Sequence, residues 1–78
     1  MLTLKLKDEK ENSMVFNYYP EDGKVFGTLN LDKKTGDIQI ISVPENDPHY
    51  RYLQHAVSKI DEYFSSGKYE NSVTVAWY

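Results

Sequence analysis

The sequence predicts a single α+β domain, 1–78, in which one helix packs on one face of a mainly antiparallel five-stranded sheet, in the order β-β-β-β-α-β. Three observations predict it. Ahead of Pro44, four segments alternate apolar and polar side chains with period two, the pattern of half-buried strands. From Pro48 to Ser66 the apolar residues instead recur at helical spacing. A last period-two run then reaches the chain end. With 78 residues there is room for one domain.

The strands follow in order. Leu2, Leu4 and Leu6 alternate with Thr3, Lys5 and Lys7, and the charged stretch 8–12 reads as a loop. Met14, Phe16 and Tyr18 alternate with Val15, Asn17 and Tyr19. Pro20-Glu21-Asp22-Gly23 is a turn: Pro presets φ at the first corner and Gly tolerates the exit. With those four residues as the loop, Tyr18 faces Val25, Phe16 faces Gly27 and Met14 faces Leu29. Both apolar sets then fall on one side, and a one-residue slip would separate them. Gly27 lets the Phe16 ring lie over bare backbone. With Lys33-Lys34-Thr35-Gly36 as the next loop, Leu31 faces Ile38, Leu29 faces Ile40, and Gly36 supplies the left-handed residue.

Pro44 ends the fourth strand. Asp47-Pro48 predicts a helix start, with Asp47 as N-cap and Pro48 at N1. Leu53, Ala56, Val57, Ile60 and Phe64 form the buried stripe, flanked by Tyr50 and Tyr63, and Gly67 is the C′ residue. Val73, Val75 and Trp77 alternate in the last strand. That strand either pairs antiparallel beside strand one, giving the order 5-1-2-3-4, or runs parallel to strand four. The first arrangement is preferred because antiparallel pairs are commoner. The helix is then a lid on Leu4, Phe16, Leu29, Ile40 and Val75.

Composition narrows the function classes. Seven Tyr, three Phe and one Trp supply large buried area to a small core. The chain has no cysteine, which excludes disulfides, thiolate zinc sites and cysteine nucleophiles and fits a reducing cytoplasm. The N-terminus lacks the apolar core of a signal peptide, and no apolar run is long enough to cross a bilayer. A cytoplasmic protein without membrane contact is expected. The net charge of −3 counts against nucleic acid as a partner.

No motif points to catalysis. His49 and His55, six residues apart on a helix, point about 240° from each other and cannot share a metal. A general base also needs a neighbouring nucleophile and an orienting partner. Glu45, Asn46 and Asp47 lack the ligand spacing of a calcium loop and read as a capping loop. No phosphate-binding glycine loop is present, and Lys24 to Thr28 matches an RNA-binding strand only loosely. Neither enzyme activity nor a cofactor is expected.

The face of the sheet away from the helix offers more. The predicted register places Val15, Phe26, Ile41 and Val43 there, with Ile41 opposite Thr28, Val43 opposite Phe26, and Tyr19 and Tyr78 at the border. One helix covers one face, so this patch is the candidate interface for a protein partner or a second copy. The expected function is a small non-enzymatic interaction or homodimerising accessory protein. The alternative is a small-molecule or nucleic-acid binding module using outward tyrosines, Arg51 and His55.

Tyr18-Tyr19-Pro20-Glu21, Thr35-Gly36-Asp37-Ile38, Gln54-His55-Ala56 and Val75-Ala76-Trp77-Tyr78 resemble the sequences of a family of small, uncharacterised bacterial proteins. The resemblance spans nearly the whole chain. It implies a bacterial cytosolic origin and supplies no catalytic residue.

Overall fold

The computed structural model describes residues 1–21 and 23–77. Five strands and one helix follow the predicted order: β1 (Leu2–Glu9), β2 (Ser13–Pro20), β3 (Gly27–Asp32), β4 (Ile38–Ser42), α1 (Arg51–Ser66) and β5 (Ser72–Val75). The strands form one antiparallel sheet in the order β4-β3-β2-β1-β5, so the last strand lies beside the first. Among the described residues, no helix is long and apolar enough to cross a membrane.

The β3–β4 hairpin has the predicted register, with Leu31 opposite Ile38 and Leu29 opposite Ile40. Gly36 is left-handed at φ 83°, and the Phe64 ring closes over it, its Cε2 2.7 Å from where a Cβ would stand. The β2–β3 register differs from expectation by two residues. Tyr18 faces Gly27, Phe16 faces Leu29 and Met14 faces Leu31. The shift is even, so Met14, Phe16, Tyr18, Leu29 and Leu31 stay inside, and of the expected inward set only Val25 is lost. Its cause is Pro20, which ends β2 as a buried residue opposite Leu2 and so leaves the turn to later residues. Val25 and Phe26 consequently lie exposed in the connection. Gly27 does admit a ring, but the ring is that of Tyr18. A Cβ at Gly27 would sit 2.7 Å from Tyr18 Cζ and 2.8 Å from Pro44 Cδ.

β1 runs two residues beyond the predicted loop boundary. It does so by a bulge between Leu6 and Asp8, which pair with Phe16 and Val15. The core comprises Leu2, Leu4, Met14, Phe16, Tyr18, Leu29 and Leu31 from the sheet, with Leu53, Ala56, Ile60 and Tyr63 from the helix. Tyr63, rather than Phe64, is the buried aromatic of the helix. Its ring lies between Phe16 (5.9 Å) and Tyr69 (5.8 Å), while Phe64 reaches out to the hairpin.

The helix begins three residues later than Pro48 and packs chiefly on β2, β1 and β5. It is therefore offset from the centre of the sheet. Leu4, Phe16 and Leu29 are covered as expected, but Ile40 of β4 is 52% exposed.

Candidate functional site

The helix start shows how a buried polar cluster can be wholly structural. Tyr50, not Asp47, is the N-cap, in the left-handed region at φ 58°, with no side-chain hydrogen bond of its own. Asp47 caps from further back. Two turns fold the chain between them: Asp47 N–H donates to the Pro44 carbonyl, and Tyr50 N–H donates to the Asp47 carbonyl. The Asp47 carboxylate, 1% exposed, then accepts from the N–H groups of Tyr52 (3.1 Å) and Leu53 (2.9 Å) and from the Tyr18 hydroxyl (3.2 Å). It ties the helix N-terminus to β2 and satisfies two otherwise orphaned donors. Burial, the Asp47 charge and this hydrogen bond together raise the Tyr18 pKa well above the usual phenol range.

Arg51 and His55 do not share a hollow. Arg51 is exposed and borders a depression of about 210 Å³ with Asn46, Asp47, Pro48, His49 and Tyr52. His55 instead stacks on Trp77, ring centroids 3.8 Å apart at 10°, and Tyr52 meets the same indole edge-on at 5.5 Å. The Tyr52 hydroxyl donates to Glu21 at 2.8 Å, which raises its pKa. These contacts pin the chain end across the helix. Among the described residues, no three His, Cys, Asp or Glu side chains gather to hold a metal.

The six candidate interface residues separate. Tyr19 and Phe26 meet on the open face, centroids 5.2 Å apart. Val15 is half-buried between Asp8 and Asn30 in the register. Tyr78 lies outside the described residues. Val43 is not on the open face. The β3–β4 register shifts between Thr28 and Leu29, where Thr28 pairs with Ser42 instead of Ile41. Ile41 is thus the extra residue of a bulge, and everything after it changes face. Val43 turns to the helix side and packs against the core. It lines a groove of about 410 Å³ with Ile40, Tyr50, Leu53 and Gln54.

No family model, curated protein or solved structure matches the chain.

The most distinctive surface is β4. It is an outer strand, and Ile40 and Ile41 on it are 52% and 55% exposed. Its five residues, Ile38 to Ser42, carry no charge. The hydrogen-bond phase of its free edge follows from the hairpin. Asp32 N–H donates to the Asp37 carbonyl at 2.8 Å, making that a bonded pair. Pairs alternate in an antiparallel ladder, so Leu31–Ile38 and Leu29–Ile40 are unbonded pairs. The N–H and C=O groups of Ile38 and Ile40 therefore point away from β3. Sequence reasoning passed over this edge because it treated Ile40 as core and had no signal for the helix offset.

Proposed function

We propose that this protein is a non-enzymatic interaction module that associates with a second copy of itself through β4. The reading rests on one observation: the outer strand presents isoleucines and unpaired backbone groups with no charge, proline or covering helix to block them. Natural edge strands usually carry one of those protections, and an edge that lacks them pairs with another strand.

The strand is also self-complementary. With a two-fold axis at Gln39, antiparallel pairing sets Ile38 of each copy opposite Ile40 of the other. Those are the residues whose backbone groups point outward, so four hydrogen bonds close across the axis. Their side chains, on the helix side of both sheets, meet as cross-strand neighbours. A two-fold interface of this kind is closed and does not propagate into fibres. The expected dimer has a continuous ten-stranded sheet.

Sedimentation of three chains tests the reading. The unaltered protein should sediment as a concentration-dependent dimer. Ile40→Lys should be a monomer with an unchanged circular dichroism spectrum, since its side chain is already half exposed. Phe26→Lys, on the open face, should remain dimeric. A monomer at every concentration for the unaltered chain would refute the proposal, and dissociation by Phe26→Lys instead would move the interface to the open face.

A further inference from the structure

We propose that a hollow on the open face, independent of the β4 edge, binds a planar organic phosphate, of which a nucleoside monophosphate is the simplest instance. The hollow holds about 440 Å³ and is lined by Thr3 and Lys5 of β1, Tyr19 of β2, and Gly23 and Lys24 of the following connection. That size falls within the roughly 300–1,000 Å³ of small-molecule sites.

Among the described residues its lining carries the charge opposite to that of the chain. Neither Lys5 nor Lys24 has an acidic partner among the described residues, whose ion pairs involve Met1, Lys33 and Lys59. The nearby Glu21 carboxylate takes the Tyr52 hydroxyl and the Met1 amine, and does not line the hollow. Two lysines converge on one concavity in a protein of net charge −3. Such a concavity focuses a field that attracts a small anion.

The second requirement is aromatic. Lys5 Nζ lies 5.3 Å from the Tyr19 ring centroid, and the same ring meets Phe26 at 5.2 Å and 46°. Phe26 is 41% exposed. Cations thus adjoin a pair of rings of which Phe26 is the exposed one and can take a planar group, the pairing of groups by which proteins hold one nucleotide unit. A phosphate between the lysines and a base against the exposed Phe26 ring would use both. A long polyanion is disfavoured because the rest of the surface is acidic.

Amide chemical shifts decide it, with adenosine monophosphate, adenosine, inorganic phosphate and a short deoxythymidine strand titrated separately. The monophosphate should saturate with Kd of about 1 mM or tighter, moving Lys5, Tyr19, Lys24 and Phe26. Adenosine and phosphate should each bind more weakly. Lys24→Ala, in an exposed connection, should weaken the monophosphate about tenfold while the remaining amide spectrum is preserved. Tighter binding of the strand at the same residues would assign the nucleotide to a strand rather than to a free ligand. Absence of saturation by both monophosphate and strand, adenosine binding as well as its monophosphate, or an unchanged Lys24→Ala would overturn the proposal.

Discussion

At the residue scale, Asp47 and Tyr18 show what a single buried contact does for a small domain. The carboxylate could have been a ligand or a base, but three donors occupy it. The sequence identified Asp47 as a helix-capping residue from its place before Pro48. It could not reveal that Tyr50 would be the N-cap, because a left-handed tyrosine is an uncommon conformation that only the surrounding turns enforce. The partnership with Tyr18 was also hidden, since it spans 29 positions of sequence. This contact has a pH consequence. Tyr18 is raised by burial first and Asp47 second. Burial, with Glu70 and Glu62 adding, pushes Tyr63 up to about 12. In the unfolded chain both phenols ionise near the ordinary value of 10.0. Above that pH the unfolded state binds fewer protons, so stability falls as pH rises. The phenols should leave stability unchanged between neutral pH and about pH 9 and make it decline from pH 10 through 12 and beyond. Urea midpoints across that range measure the decline, and Tyr18→Phe should make it shallower. An equal slope in both chains would remove Tyr18 from the account.

At the element scale, hairpin pairing was more legible than hairpin ends. The β3–β4 turn was readable because Gly36 marks the left-handed position beside Thr35. The β2–β3 connection was not, because the proline-glycine pair looks like a four-residue turn while Pro20 is in fact strand. Parity survived the two-residue error, so Met14, Phe16, Tyr18 and Leu29 kept their predicted face although their partners changed, and Val25 fell outside the strand. A bulge has no such tolerance. One extra residue at Ile41 moved Val43 from the open face to the core, and nothing in the alternation of Ile38 to Val43 signals it. Gly27 carries the strongest local constraint. Adding a methyl there presses on Tyr18 and Pro44 at once, both buried. Gly27→Ala should destabilise the fold by roughly 1–3 kcal/mol in urea titration, despite the lower chain entropy of alanine. No loss would mean that Tyr18 can leave its position over the strand.

At the scale of the whole molecule, the decisive feature is where the single helix sits. The sequence predicted one helix and five strands from periodicity, and the preference for antiparallel pairing chose the observed order over a last strand parallel to strand four. It did not predict that the helix would favour the β1, β2 and β5 side, because that offset depends on the Asp47–Tyr18 tether and on the Trp77 contacts with Tyr52 and His55. The offset leaves β4 without a lid, and the proposed self-pairing follows from it. The chain's lack of cysteine offers a direct test, since one introduced thiol can crosslink only to another copy. At the proposed axis, Gln39 would face Gln39 of the second copy as an unbonded pair, with Cα atoms about 4.5 Å apart, within the range a disulfide spans. Mild oxidation of a dilute Gln39→Cys variant should give a covalent dimer quickly, while Thr74→Cys on the opposite outer strand should stay monomeric. Equal, slow crosslinking of the two variants would contradict pairing through β4.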